Sequence, residues 1–116
     1  MVKSYTSIEQ SRKLADILPI ESADMYYHYN RGIVKDYYED VPECIELINH
    51  FRFFPEDIPC WSLAPLFGVL PNENMLVKTT DGKYYCLAND VMTKHYDNPI
   101  DACCEMILKL KELNLL

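Results

Sequence analysis

Asp81 and Gly82 place the strongest local constraint on the fold of this chain, because they separate two runs of strand-forming residues, 75–80 and 83–88. Asp-Gly at such a position favours a two-residue type I′ turn between antiparallel strands. The cross-strand pairs that this turn predicts are Thr79 with Tyr84, Val77 with Cys86 and Met75 with Ala88. These pairs gather a mostly apolar face, and we expect that face of the hairpin to pack against a core.

Both ends of the chain carry helix signals. Near the C terminus, Asn98 is a favourable N-cap and Pro99 a favourable first helical residue, so we predict a helix that runs to about Leu113. The apolar face of that helix comprises Ile100, Cys103, Cys104, Met106, Ile107, Leu110 and Leu113. Near the N terminus, Thr6 and Glu9 have the spacing of a capping box, and the helix that follows is predicted to end at Pro19.

The middle of the chain predicts two strands and two helices. Residues 23–29 are rich in aromatic side chains that suit a strand, and after a turn at 30–32 the chain is predicted to return as a second strand over 33–38. Pro42 stands at a favourable first helical position, which predicts an amphipathic helix over 42–53. A short buried helix is expected after Ser62.

Helices alternate with antiparallel hairpins in this pattern, so the expected fold class is α+β rather than a parallel α/β sheet. We predict one small antiparallel sheet of three to four strands, including the hairpin at 75–88, packed by the N-terminal and C-terminal helices. A length of 116 residues suits one core, and residues 1–116 are therefore predicted to form a single α+β domain.

The charge of the chain limits its partners. A formal net charge of −7 repels phosphate backbones, and the basic residues form no stripe, which argues against direct binding to a nucleic-acid backbone. The first residues lack the apolar core of a secretory signal, and no apolar run approaches the length of a membrane span, so a cytoplasmic protein without membrane contact is expected. The odd set of five cysteines is then expected to be reduced, and we interpret them as small buried hydrophobic residues.

No segment carries the signature of a catalytic, metal or nucleotide site. The histidines and cysteines lack the paired spacing of a zinc site, and the three glycines are each isolated, so neither a metal nor a cofactor is predicted. No catalytic residue is assigned either. An enzyme built on this chain would use a thiol or a His-carboxylate pair, for which Cys60 and His95 are the candidates.

A group of tyrosines beside a run of acidic residues is the best candidate for a binding surface. The surface comprises Tyr26, Tyr27, Tyr29, Tyr37, Tyr38, Glu39, Asp40 and Glu43. On a strand, Tyr27 and Tyr29 share one face while Tyr26 and His28 share the other, so one face is available to a partner. Tyrosine is enriched in interfaces, and an acidic neighbourhood suits a basic partner or the imitation of nucleic acid. Ordinary strand packing and a solvated helix start are the alternative interpretations.

Four segments of the chain stand out as specific strings: TSIEQSRKLADIL at 6–18, SADM at 22–25, IPCWSLA at 58–64, and the stretch that begins with DNPIDA at 97 and runs to 116. In these segments the chain resembles a family of small uncharacterised proteins that are widespread in gut anaerobes and their phage-like mobile elements. The family supplies no activity, cofactor or catalytic residue. Its association with mobile elements implies a small accessory protein that acts on host or phage machinery.

Three hypotheses about function follow from these observations. The preferred one is a small acidic intracellular protein that binds or regulates another protein through its tyrosine and acidic surface. The second is a small enzyme with a thiol or His-carboxylate site. The third is a homo-oligomeric module that associates with itself through exposed tyrosines or a hairpin edge.

Overall fold

A computed structural model describes residues 3–45 and 55–116 of the chain. Within them the fold is α+β, as predicted, and the strands are divided among three small antiparallel sheets instead of one. The helices are α1 (Ile8–Ala15), α2 (Leu63–Val69) and α3 (Pro99–Glu112). The strands are β1 (Met25–Tyr27), β2 (Tyr29–Asn30), β3 (Tyr37–Tyr38), β4 (Glu43–Cys44), β5 (Ile58–Cys60), β6 (Met75–Lys78), β7 (Tyr84–Ala88) and β8 (Val91–Met92). None of the helices in this described part has the length and apolar character that a membrane crossing requires.

The cap of α1 lies one residue later than predicted. Its N-cap is Ser7, whose hydroxyl accepts a hydrogen bond from the Gln10 amide at 3.1 Å while the Gln10 side chain accepts one from the Ser7 amide at 3.0 Å. The predicted cap, Thr6, is buried instead, and its Oγ1 lies 2.8 Å from the Ser11 hydroxyl. The capping box therefore exists, with a glutamine in the position predicted for a glutamate.

β1 is the central strand of the first sheet, whose order is β4-β1-β5. Met25 pairs with Cys44 on one side and with Cys60 on the other, both in antiparallel register. The predicted start of a helix at Pro42 is wrong, because the residues that follow it form β4. Residues 46–53 of that prediction lie outside the described part of the chain. Pairing with β1 gives the β4 backbone the hydrogen bonds that a helix would have supplied locally.

A two-stranded sheet follows β1 along the chain. β2 pairs with β3, and Tyr29 lies opposite Tyr38. The predicted return strand over 33–38 is wrong except for its last two residues, because the chain bends between Ile33 and Lys35. Gly32 is required at this bend, since a Cβ there would clash with the carbonyl oxygen of Lys35.

The predicted hairpin at 75–88 is present, but its register is shifted by one residue. The pairs are Met75 with Leu87, Leu76 with Cys86, Val77 with Tyr85 and Lys78 with Tyr84. The amide of Thr79 donates to the carbonyl of Lys83 at 2.8 Å, which leaves a three-residue turn over 80–82, and Gly82 has a φ of 83°. A three-residue turn that ends on a left-handed glycine moves the pairing by one position relative to a two-residue turn. β8 was not predicted, and it pairs with the free edge of β7.

α3 agrees best with its prediction. Asn98 caps it by accepting a hydrogen bond from the Asp101 amide at 2.9 Å, and Pro99 is its first residue. The predicted apolar stripe is buried apart from Leu113, which is 54% exposed. α3 packs on β7 and on α2.

α2 begins after Ser62, as predicted, but it is not a buried helix. Of its residues only Leu66 is fully buried, so the helix presents one face to the core and the other to solvent. The Ser62 hydroxyl does not cap the helix and donates instead to the carboxylate of Asp24.

Two hydrophobic clusters result from this arrangement. The larger cluster surrounds α3, and the smaller one joins the first sheet to the N-terminal segment. The buried residues of the larger cluster are Leu14, Leu18, Trp61, Leu66, Leu70, Cys86, Ala88, Ile100, Ala102, Cys103, Cys104, Met106, Ile107 and Leu110. Those of the smaller cluster are Tyr27, Ile58 and Cys60.

Candidate functional site

Tyr26 and Glu43 meet across β1 and β4. They are register partners, and the Tyr26 phenol donates a hydrogen bond to Oε2 of Glu43 at 2.5 Å. The pair lies at the surface, because β4 is the edge strand of its sheet and Glu43 is exposed. One predicted tyrosine and one predicted carboxylate are therefore presented together.

Tyr29 and Tyr38 form the second contact of the predicted surface. Their rings pack edge to face with centroids 5.3 Å apart. The Tyr29 phenol donates to the Asp36 carboxylate, and this hydrogen bond raises the pKa of Tyr29 because it favours the neutral phenol. The Tyr38 phenol donates to the carbonyl of Glu56 at 2.7 Å, and the guanidinium of Arg12 lies 5.5 Å from the Tyr38 ring centroid. β2 and β3 thus hold two half-buried tyrosine rings in fixed orientations.

Tyr27 does not belong to the predicted binding surface. Its side chain is 2% exposed, and its phenol donates to the carbonyl of Thr6 at 2.7 Å. Burial raises the pKa of Tyr27, and the neighbouring Cys60 and Tyr5 raise it further. Alternation along β1 turns Tyr27 into the smaller cluster while Tyr26 faces outward, so its predicted surface role is corrected to a core role.

The remaining acidic residues of the prediction have different surroundings. Glu39 accepts a hydrogen bond from Nδ2 of Asn30 at 2.9 Å, which ties it to β2. Asp40 is exposed and lines an open cleft of about 680 Å³. Tyr5 and Tyr27 line the same cleft, and their rings pack edge to face with centroids 6.5 Å apart. A carboxylate therefore stands beside an aromatic wall.

Three exposed apolar side chains lie near Tyr37 in the sequence and extend the predicted surface. Ile33 and Val34 are fully exposed, Val41 is 62% exposed and Tyr37 is 50% exposed. Isolated apolar residues are normal on a protein surface, but here four exposed ones lie within residues 33–41, and we call these four the apolar patch. Because Ile33 and Val34 were predicted to belong to the return strand over 33–38, they were not included in the predicted surface. We name residues 33–43, together with Tyr26 and Tyr29, the acidic face.

The structure also brings together a histidine and a carboxylate that no sequence spacing indicated. Nδ1 of His28 lies 3.3 Å from Oδ1 of Asp57, whose side chain is 1% exposed. The same Asp57 oxygen accepts the backbone amide of Tyr29 at 3.0 Å. His28 separates β1 from β2, and Asp57 precedes β5, so the contact depends on sheet pairing between distant segments.

Cys60 and His95, the predicted enzyme candidates, are not brought together. Cys60 is fully buried in β5, where burial raises the pKa of its thiol and its Sγ lies 3.4 Å from Oγ1 of Thr6. His95 stacks on Tyr85 of β7, with ring centroids 4.8 Å apart. A raised pKa is the opposite of what a nucleophilic thiol requires.

The interpretation of the cysteines as buried hydrophobic residues is confirmed for four of them and wrong for one. Cys60, Cys86, Cys103 and Cys104 are buried, whereas Cys44 is exposed because β4 is an edge strand.

Among residues 3–45 and 55–116, no group of three or more His, Cys, Asp or Glu side chains is arranged to hold a metal ion. Comparison with protein-family models, with curated proteins and with solved structures finds no match for this chain.

Proposed function

We propose that this protein is a small binding or regulatory protein that engages a basic protein partner through the acidic face. The observation that carries the proposal is the exposed apolar patch of Ile33, Val34, Tyr37 and Val41. Burial of apolar area against a partner is favourable by about 25 cal/mol per Å², and contiguous exposed apolar residues mark interaction sites.

The charge around this patch supports a basic partner. Within residues 33–43, Lys35 is accompanied by four carboxylates. These are Asp36, Glu39, Asp40 and Glu43. A local excess of negative charge speeds the approach of a positively charged protein and disfavours acidic competitors.

The cleft beside Asp40 supports a defined mode of contact. Its lining combines the apolar side chains of Tyr5 and Ile8 with the carboxylates of Glu9 and Asp40. Lys3 lines it as well, and its ammonium is paired with Oδ1 of Asp101 at 2.8 Å. A lysine or arginine side chain matches this combination, because its aliphatic stem packs on apolar and aromatic surface while its charged end contacts a carboxylate. The partner would insert such a side chain here while its apolar residues cover the patch.

A charge-reversal experiment tests the proposal. We would compare the wild-type protein with a variant in which Glu39, Asp40 and Glu43 are each replaced by lysine, and quantify proteins captured from a native lysate over a salt series. We expect recovery of the partner to fall at least about tenfold, because several close charge pairs are lost together. In the wild type, recovery should decline as salt rises.

The matched control reverses Glu21, Glu73 and Glu112, which are exposed acidic residues outside the acidic face. This control has the same net charge as the first variant, and we expect it to retain the partner. Equal loss in both variants would attribute binding to net charge and contradict the assignment of the acidic face. A second variant, with Ile33 and Val34 replaced by serine, tests the apolar contribution without a change of charge.

A small enzyme is the second candidate, and the contact between His28 and Asp57 favours it. A buried carboxylate beside one imidazole nitrogen is an arrangement that orients a histidine for proton transfer. We would measure hydrolysis of a panel of activated esters by the wild type and by the variants His28→Ala and Asp57→Asn. His95→Ala is the control, because that imidazole stacks on Tyr85. Equal rates for the His28 and His95 variants would reject this candidate.

The cellular setting of the proposed function is the cytoplasm, and the supporting arguments are the acidic composition and the predicted reduced thiols. The resemblance to proteins of mobile elements supports an accessory role directed at host or phage machinery.

Homodimerisation through the same patch is the competing outcome. Light scattering that shows a dimer would support that outcome, particularly if the serine variant of Ile33 and Val34 were monomeric.

A further inference from the structure

We infer that Cys86 and Cys103 form a thiol–disulfide site, which a peroxide converts into a reversible cross-link between β7 and α3. Their Sγ atoms lie 3.7 Å apart, and both side chains are completely buried. Cys86 is on the central strand of the third sheet, and Cys103 is on the face of α3 that packs against this strand. The site is independent of the acidic face.

The other cysteines are excluded from this pair by their positions. Cys104 follows Cys103 on the helix, and consecutive helical residues point about 100° apart. The Cys60 thiol contacts Thr6 in the smaller cluster, and Cys44 lies exposed on β4. All five cysteines lie in the described residues, and among these Cys86 and Cys103 are the pair whose sulfur atoms are in contact.

The environment of the pair distinguishes the two thiols. The hydrogen bond with Cys103 lowers the pKa of Cys86, whereas that bond and burial raise the pKa of Cys103. Burial likewise raises the pKa of Cys104, to about 12. Because the thiolate is the reactive form, we assign the first oxidation to Cys86, while the 3.7 Å contact between the sulfur atoms leads to the same link whichever of them reacts first.

The reaction proceeds in two balanced steps. The Cys86 thiolate attacks one peroxide oxygen, the O–O bond breaks, and Cys86 becomes a sulfenic acid while hydroxide takes up a proton and leaves as water. The Cys103 sulfur then attacks the sulfenic sulfur, the S–O bond breaks, and a second water leaves with the Cys103 proton. Two thiols and one hydrogen peroxide thus give one disulfide and two waters, and a dithiol reductant reverses the change.

The geometry requires a small movement for the bond and a larger one for access. A disulfide has a sulfur separation of about 2.05 Å, so the observed 3.7 Å must shorten by about 1.7 Å. Because neither thiol is exposed, the peroxide reaches them when α3 opens locally from β7. Oxidation should therefore be slow relative to that of the exposed Cys44, and a low concentration of urea should accelerate it.

The test uses the full chain with Cys44→Ser, which removes the exposed thiol and prevents cross-linking between molecules. The protein is treated with hydrogen peroxide, its intact mass is measured, and non-reduced tryptic peptides are identified. We expect a loss of 2 Da and a disulfide between the peptides of residues 84–94 and 95–109. Adding Cys103→Ser should abolish this link, and adding Cys104→Ser should preserve it.

A melting experiment provides the second readout. The disulfide would close the loop between Cys86 and Cys103, which are 17 positions apart, in the unfolded chain. This closure should raise the melting temperature by roughly 10 °C, and dithiothreitol should return the melting temperature to its initial value. If Cys103→Ser disturbs folding, Cys103→Ala with a circular dichroism check replaces it. Three outcomes would overturn the inference. The first is a link that depends on Cys104 or Cys60, and the second is a stepwise gain of oxygen without a link. The third is that Cys86 and Cys103 stay reduced in the wild type after Cys44 has been completely oxidised.

Discussion

Leu110 and Leu113 stand one turn apart near the end of α3, and the sequence pattern placed both on the apolar face of the helix. Replacing each by alanine tests whether only Leu110 belongs to the core, as the structure shows. Leu110 has no exposed surface, whereas Leu113 is 54% exposed. Loss of three buried carbon atoms at Leu110 removes about 2.4 kcal/mol of transfer free energy, and the cavity left behind adds to this loss. We therefore expect Leu110→Ala to lower the free energy of unfolding by about 3–4 kcal/mol, and Leu113→Ala to lower it by about 1 kcal/mol or less.

The assay is urea-induced unfolding followed by far-ultraviolet circular dichroism, with thermal melting as a second measure. At about 4 °C per kcal/mol, Leu110→Ala should lower the melting temperature by roughly 12 °C. The urea dependence of the unfolding free energy should stay constant in both variants, because the surface exposed on unfolding is nearly unchanged.

A difference between the two variants of less than about 1 kcal/mol would refute the reasoning. It would mean either that Leu113 is covered in solution or that the core around α3 collapses into the cavity at Leu110. The urea dependence of the unfolding free energy separates two causes. A changed dependence would indicate a looser native state, whereas a constant one would indicate that the variant lost packing contacts in an otherwise unchanged native state.

Three further predictions follow from the same structure. Gly82→Ala should destabilise the hairpin by about 1 kcal/mol, because Gly82 has a φ of 83°. Gly68→Ala should stabilise α2 by roughly 0.5–1 kcal/mol, because a Cβ added at Gly68 meets no atom within 4 Å. Thermal melting measures both changes. Tyr27→Phe should cost about 1–2 kcal/mol because the buried carbonyl of Thr6 loses its phenol donor and keeps only the weak Cys60 thiol at 3.4 Å. Tyr26→Phe at the surface should cost less than about 0.5 kcal/mol in the same urea assay. Because the pKa of Tyr27 is raised in the folded protein, the unfolded chain releases this phenolic proton first as pH rises past the ordinary tyrosine pKa of about 10. Stability should therefore fall above that pH, and the fall should be smaller in Tyr27→Phe.

Local signals predicted the parts of the fold whose stabilisation is local. Asn98 and Pro99 placed the start of α3 correctly, because a cap and a first-turn proline act within one helical turn. Asp81 and Gly82 predicted the hairpin for the same reason. Its register was missed because a left-handed glycine satisfies a three-residue turn as well as a two-residue one.

The parts that were not predicted depend on contacts between distant segments. Pro42 and the following acidic residues favour a helix locally, yet Glu43 pairs with Tyr26 on β1. The register of β1 also decides that Tyr27 faces the core, and spacing within the chain left that choice open. The contact of His28 with Asp57 joins residues 29 positions apart, which no motif spans.

The two hydrophobic clusters differ in size, and this difference divides the molecule into regions that open at different free energies. Amides of β7, beneath α3, should exchange with deuterium through global unfolding, whereas amides of β2 and β3, beside the smaller cluster, should exchange through local opening. The acidic face lies on the less protected region. A partner could therefore reshape this face without disturbing the rest of the domain, and part of its binding free energy would be used to order the contact surface.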